Sequence, residues 1–367
     1  MSPPRLTVAF TLEQCWHRVP GGTAVAALGM ARALAERGDL DIVGVSARHR
    51  SAPPDPWRPP VPVRALPLPR PVLYEAWHRL RRPRVEAATG KVSAIHATTV
   101  AMPPRSSPIV LTIHDLAWLE NPAHFTPRGL RFFDRGLELA LRDADLVLCS
   151  SAATERACRA AGFEEARLRR VPLGVDIREA TPGEVDRVRG RYSLGRPYVL
   201  WTGTVEPRKN LPGLVQAFDR LDGDLDLVLA GPRGWNEDLE ALVGPRGQRV
   251  RFLGFVPALD LGPLYAGASA FCFPSLLEGF GFPVLEAMAQ GTPVVTSRGT
   301  STEELADGAG VLVDPLEPAS IAAGLEEILS DPGLAARLGA AGRRKAAEYT
   351  WARTADLVAR AYREVSA

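Results

Sequence analysis

Strand-like apolar runs alternate with helical stretches through almost the whole chain, which predicts an α/β protein of two doubly wound halves built on parallel sheets. Two further observations support that fold class. The 367 residues exceed one ordinary domain. A short segment with a central glycine, VPLGVDI at residues 171–177, separates two sets of runs and reads as a hinge. The expected division is 1–172, then 173–350, then a closing helix over 351–367 that can pack back on the first domain.

The first set opens with LTVAFT as a strand and a helix over 23–36, stopped by Gly38. DIVGVSA, SAIHA, PIVLTIHD and DLVLCSS supply further strands, with helices expected over 127–141 and 152–161. The proline-rich residues 53–71 are expected to break any regular element and form a surface loop. The second set runs through PYVLWTGTV, DLDLVLAG, QRVRFLGF, ASAFCFP, TPVVTS and GAGVLVDP. Three Ala- and Leu-rich helices are expected over 318–329, 333–348 and 351–365.

Composition narrows the function classes. An apolar content of 46% with 23% charged residues is that of a soluble globular protein. No run of 18 apolar residues occurs, so no spanning helix is expected. The start MSPPRLTVAF lacks the basic region and long apolar core of a signal peptide. Four scattered cysteines form no CxxC pair, and no HExxH occurs. Zinc and iron–sulfur ligation are therefore unsupported, and a reducing, cytoplasmic compartment fits. Charge is uneven: residues 1–172 carry 24 basic against 16 acidic side chains, residues 173–367 carry 20 against 26. The basic half, densest at HRLRRPR (His78 to Arg84), could face an anionic acceptor or a membrane surface.

The richest chemistry lies in EGFGFPVLEAMAQGTPVV, where seven residues separate Glu278 from Glu286. A strand, a Gly-Phe-Gly-Phe-Pro turn and a helix are expected in succession. The glycines let backbone N–H groups approach a ligand, and the helix N-terminus favours an anion. Two carboxylates beside such a cradle suit a polyhydroxylated ligand carrying phosphate, because carboxylates accept hydrogen bonds from sugar hydroxyls. That describes a nucleotide-sugar. The loop TGTVEPRKNL follows the first strand of the second set and brings Arg208 and Lys209, which can offset diphosphate charge. Gly21 and Gly22 precede the first helix, and His114 and Asp115 end a strand, where a histidine can meet a sugar hydroxyl. No GxGxxG follows either first strand, which counts against a dinucleotide-binding oxidoreductase.

Taken in order, GG, HD, VPLGVD, GTVEPRKNL, EGFGFPVLEAMAQGTPVV and GVLVDP resemble the family-four glycosyltransferases. The resemblance implies the GT-B architecture, two Rossmann-like domains facing a central cleft, with acceptor on the first domain and nucleotide-sugar on the second. It implies that Glu286 binds the ribose hydroxyls and that Glu278 contacts the donor sugar. The backbone at Gly203, Gly279, Phe280, Gly281 and Phe282 would hold sugar and diphosphate. Arg208 and Lys209 would neutralise the departing diphosphate in place of a metal, so neither metal nor cofactor is expected. His114 would contact the transferred sugar, and Gly22 would lie near the distal phosphate. Transfer would proceed with retention.

The segment HDLAWLENPAHFTPRGLRFF resembles transferases that build surface polysaccharides, many of them mannosyltransferases using GDP-mannose. UDP- and dTDP-sugars stay open, as do the linkage and the acceptor, whether glycan, lipid-linked sugar or aglycone. No nucleic-acid partner is expected. The alternatives are a nucleotide-sugar 2-epimerase of the same architecture and a non-catalytic nucleotide-sugar binder. Relatives often carry Pro-Glu where this chain has Glu303-Glu304.

Overall fold

The structure, a computed structural model, describes residues 5–17, 19–234, 242 and 249–367. It divides the chain into two compact units, Met1–Gly174 with Thr350–Ala367, and Val175–Tyr349. Each unit is built on one parallel sheet.

In the first unit β1 (Leu6–Thr11), β2 (Leu40–Ser46), β3 (Val63–Ala65), β4 (Ala94–Ala97), β5 (Ile109–Ile113), β6 (Leu146–Cys149) and β7 (Leu168–Arg170) stand in the order 3-2-1-4-5-6-7. In the second unit β8 (Tyr198–Thr202), β9 (Asp226–Ala230), β10 (Val250–Gly254), β11 (Ala270–Phe273), β12 (Val294–Ser297) and β13 (Val311–Val313) stand in the order 10-9-8-11-12-13. Every residue of β4, β5, β6, β8, β9, β11 and β12 is buried. Helices cover both faces of such sheets, so their strands are continuous apolar runs rather than alternating ones. In each sheet the chain reverses its direction of travel once, between β1 and β4 and between β8 and β11. Ligands of open α/β sheets bind at such points, beyond the carboxyl ends of the strands.

Residues 53–71 are not wholly loop. Val63–Ala65 pairs in parallel with β2 as an edge strand. An edge strand needs hydrogen bonds on one side only, so flanking prolines are tolerated there. The segment ends in a helix that already starts at Arg70. The basic stretch after it is also partly turned inward. His78 is buried and its Nε2 accepts from the Met102 amide. The Arg81 guanidinium donates to Asp143 and to the carbonyls of Trp77, Met102 and Pro103. Of its arginines, Arg79, Arg82 and Arg84 are exposed.

The closing helix Trp351–Ser366 belongs to the first unit. It buries Thr354, Ala355, Val358, Ala359, Ala361 and Tyr362, a single helical face. The buried His96 of β4 meets the Tyr362 hydroxyl through Nδ1 at 2.6 Å and the Thr112 hydroxyl through Nε2 at 2.7 Å. Arg37 pairs with Asp356, and Arg363 with Asp39, across the same seam. Close approach is set by Gly29 in the helix Gly21–Glu36, where a Cβ would lie 2.3 Å from the Trp351 ring.

Two predictions follow from this packing. Gly29→Ala improves helix propensity yet should lower the melting temperature by several degrees, because overpacking costs about 1–3 kcal/mol and the gain is at most about 1 kcal/mol. Scanning calorimetry decides the sign. Burial also lowers His96 to about 3 and His78 to about 4. The unfolded chain then binds protons that the folded one refuses. Stability should therefore fall as pH drops from about 6.5 toward 4, visible as a falling Tm before carboxylates titrate.

Candidate active site

The site in the second unit grows from the loops after β8 and β11, the two strands that flank its reversal point. After Thr202 the backbone turns at Gly203, with φ +153°. The Gly203 amide donates to Ala230 O, and Val205 N to Pro232 O, so this loop is joined by backbone bonds to the one after β9. The contact is so close that a Cβ on Gly231 would lie 1.8 Å from Gly203 O. A short 3-10 turn, Pro207–Lys209, follows. Asn210 then takes the left-handed conformation, which Asn tolerates, and caps the helix Leu211–Phe218. Its side-chain amide donates to Pro274 O and Pro315 O. Leu276 N donates to Arg208 O, and the Arg208 guanidinium to Leu277 O. The Arg-Lys turn and the loop after β11 are therefore laced together.

That lacing brings three of the expected residues into one cluster. Lys209 Nζ lies 2.5 Å from Glu278 Oε1, and Arg208 lies 3.1 Å from Glu278 Oε2. Arg208 also pairs with Glu206 at 2.7 Å, and Lys209 stands over the Phe273 ring at 4.7 Å. Lys209, Glu278 and Glu206 are buried, while Arg208 keeps about a quarter of its side chain exposed. Two cations and two carboxylates make the cluster formally neutral. Burial pushes the Glu278 carboxyl up, but Lys209 and Arg208 together outweigh it and hold the group below the usual carboxylate range. Burial, with Arg208 beside it, draws the Lys209 ammonium down, and Glu278 opposes this. The cations expected to await a diphosphate are thus already engaged, and Glu206 was not foreseen.

Glu286 sits one turn inside the helix Phe282–Ala289. No hydrogen bond among the described residues joins it to Glu278. Its partner is the Tyr265 hydroxyl, at 2.8 Å from Oε2, and Tyr265 in turn meets the Thr202 hydroxyl at 2.6 Å. Burial raises the Glu286 carboxyl; the Tyr265 hydroxyl opposes that, and Asp176 adds to it. The Gly-Phe-Gly-Phe turn is fixed from behind. Gly281 caps the helix at φ +110°, where a Cβ would lie 2.7 Å from the Thr302 methyl. Phe280 is buried edge-on to the Phe282 ring, and its carbonyl accepts from the Ser301 hydroxyl. Gly279 leads into this turn.

The remaining expected residues lie on the first unit. Gly21, at φ +62°, and Gly22 open the helix Gly21–Glu36, after a buried turn, Glu13–Trp16, that the sequence did not disclose. Glu13 accepts from the Ala47 amide at 2.7 Å and meets His49 Nε2 at 2.8 Å. His114 follows β5, and its carbonyl accepts from Thr154. Burial lowers the ring, against Asp115 and the Thr98 carbonyl, so it is neutral near pH 7. Its Nε2 is buried without a hydrogen-bond partner among the described residues. An orphaned buried nitrogen is costly, and at a strand's carboxyl end it is what a ligand hydroxyl would satisfy. Among the described residues no group of three or more His, Cys, Asp or Glu is placed to hold a metal ion.

Residues 20–179 match the family described as Glycosyltransferase Family 4, and residues 184–345 match Glycosyl transferases group 1. The O-antigen chain mannosyltransferase B of Escherichia coli is 33% identical over 308 residues, covering 80% of this chain and 81% of that one. This chain belongs to the family-four glycosyltransferases. A D-inositol 3-phosphate glycosyltransferase of Acidothermus cellulolyticus is 31% identical, covering 95% of this chain and 86% of its own. Among solved structures, Anabaena HepE in complex with UDP and glucose superposes with a TM-score of 0.78 at 21% identity, covering 98% of this chain and 100% of that one. Sucrose-phosphate synthase from Thermosynechococcus elongatus gives 0.80 at 23% identity, covering 98% and 99%. At these identities the likeness establishes the fold: two Rossmann-like domains of the GT-B class.

The shared carboxylate makes the two sides of the glycosyltransferase's cluster unequal. Glu278→Ala strands the buried Lys209, whereas Arg208 keeps Glu206, and should cost about 3–5 kcal/mol. Lys209→Met leaves Glu278 still bound to Arg208 and should cost clearly less. Denaturant unfolding of the two variants measures the difference; equal losses would mean that Arg208 does not hold Glu278.

Proposed function

We propose that this glycosyltransferase is a retaining, metal-independent hexosyltransferase that moves mannose from GDP-mannose to a glycan or lipid-linked sugar in cell-surface polysaccharide synthesis. The observation that carries the reading is the buried Glu206–Arg208–Glu278–Lys209 cluster at the reversal point of the second sheet. The mannosyl part draws on the relatives, among them the O-antigen chain enzyme and a GDP-mannose-dependent mannosyltransferase of Mycolicibacterium smegmatis, 33% identical over 238 residues.

In this reading the bond from the sugar's anomeric carbon to the β-phosphate breaks, and the nucleoside diphosphate leaves with the electron pair. The acceptor oxygen bonds to the same face of that carbon, and its proton passes to the leaving phosphate oxygen. Negative charge grows on the diphosphate in the transition state, so cations fixed beside it are worth more there than in the ground state. Arg208 and Lys209 supply that charge. Glu278 accepts from donor sugar hydroxyls, and Glu286 from the ribose. The backbone from Gly279 to Phe282, and at Gly203, cradles the phosphates, with Gly22 near the distal one. His114 Nε2 takes a hydroxyl of the transferred sugar. No metal or cofactor enters.

The setting follows from the same reading. Among the described residues no helix is long and apolar enough to cross a membrane. The exposed Arg79, Arg82 and Arg84 lie beside the exposed Leu80 in the sequence, which supports peripheral contact with anionic lipid on the cytoplasmic side.

Thermal shift with GDP, UDP and ADP, each with and without EDTA, tests the donor site. GDP at about 100 times its dissociation constant should add roughly 2.7 kcal/mol and shift Tm by a few degrees, unaffected by chelator. Lys209→Ala should lower turnover about 10²–10³-fold. Turnover that requires a divalent ion, or an inverted product anomer, would refute the mechanism, and sugar isomerisation without acceptor would favour the epimerase.

A further inference from the structure

Among the described residues, Glu286 is held neither by a cation nor by backbone amides but by two hydroxyls reaching it in series. Thr202 is the last residue of β8, and Tyr265 lies at the end of the helix Ala258–Ala266, 1% exposed. The phenol bridges Thr202 Oγ1 and Glu286 Oε2. It has little freedom to leave. Phe271 packs edge-on to its ring at 5.3 Å, and the Thr292 hydroxyl donates to the Tyr265 carbonyl at 2.7 Å.

Donor capacity fixes the direction of this chain. The phenol donates to Oε2, the arrangement an ionised carboxylate, which only accepts, requires. The phenol oxygen is then left to accept, and the Thr202 hydroxyl supplies the proton. Oε2 is thereby committed, while Oε1 has no partner among the described hydrogen bonds. Such a carboxylate offers lone pairs in a fixed direction and nothing to donate. Its complement is a pair of adjacent hydroxyls, each bringing a proton.

We propose that Tyr265, backed by Thr202, is a positioning residue that presents Glu286 as a pure acceptor to a ribose diol, so that this enzyme selects ribonucleotide donors and discriminates against 2′-deoxynucleotides, thymidine diphosphate sugars included. The inference rests on the nucleotide-sugar reading of the site. Losing the 2′-hydroxyl removes one hydrogen bond to a charged group, which is worth on the order of tenfold or more in affinity.

Calorimetric titration of the full chain with GDP, 2′-deoxy-GDP, UDP and 2′-deoxy-UDP tests it. The wild type should bind the ribo form at least about tenfold more tightly than the deoxy form of the same base. Tyr265→Phe, checked for folding by circular dichroism, should weaken the ribo form and bring the ratio toward one. Thr202→Val, which leaves the phenol in place, should narrow the ratio less, and carries the test if Tyr265→Phe does not fold. A merely structural Tyr265 would lower stability and weaken both forms alike; an unchanged ratio in a folded variant overturns the proposal. A wild type that binds GDP or UDP without ribo preference also overturns it. A wild type that binds neither, nor ADP, removes the nucleotide-sugar reading itself.

Discussion

Everything chemical in the second unit depends on the adjacency of β8 and β11. Ala270 and Phe271 pair with Val199 and Leu200, although some seventy residues separate the strands along the chain. β9 and β10 extend the sheet to one side, and β12 and β13 to the other. The loops leaving β8 and β11 therefore meet at the carboxyl end of the sheet, where Leu276 N donates to Arg208 O and Lys209 pairs with Glu278. One loop supplies Glu206, Arg208 and Lys209, the other Glu278. Without that pairing there would be no reason for a lysine to lie buried over Phe273.

Burying two cations is costly unless each is matched, and here they are matched internally. The pairs also position the side chains: Arg208 is fixed by Glu206, Glu278 and the Leu277 carbonyl before any ligand arrives. Preorganisation of this kind lowers the reorganisation needed when charge develops. The same logic governs Glu286, held by a tyrosine rather than a cation. Glu278 has each oxygen taken by a cation, whereas a single hydroxyl leaves Glu286 Oε1 without a partner among the described hydrogen bonds.

The sheets were legible because parallel strands buried on both faces are written as unbroken apolar runs, as in PIVLTIHD and DLDLVLAG. β3 was not, because three residues at an edge among prolines carry no such run. Within the site, the residues legible in advance are those whose local context is unusual: glycines around phenylalanines, or an Arg-Lys pair opening a helix. Tyr265 had no such mark. It reads as one more core aromatic in LDLGPLYAG, and only the fold brings its hydroxyl to Thr202, 63 residues away. Glu206 was hidden differently, beside the recognised cations but indistinguishable from a solvated loop carboxylate. The inward turn of His78 and Arg81 shows the converse, since a run of basic residues does not reveal which of them the core has claimed.

A neutral cluster is on its face a poor receptor for a diphosphate. In the reaction proposed above, a nucleotide-sugar would compete in the ground state with Glu278 and Glu206 for the same two cations, which would weaken binding of donor and product alike. In the transition state the leaving phosphate would gain charge while the carboxylates would not, and the cations' interaction would shift toward the phosphate. Interaction energy realised only at that point lowers the barrier, whereas the same energy spent on tight ground-state binding would not. In that reaction, internal pairing would keep two strong cations in place without making the site a trap for its own product.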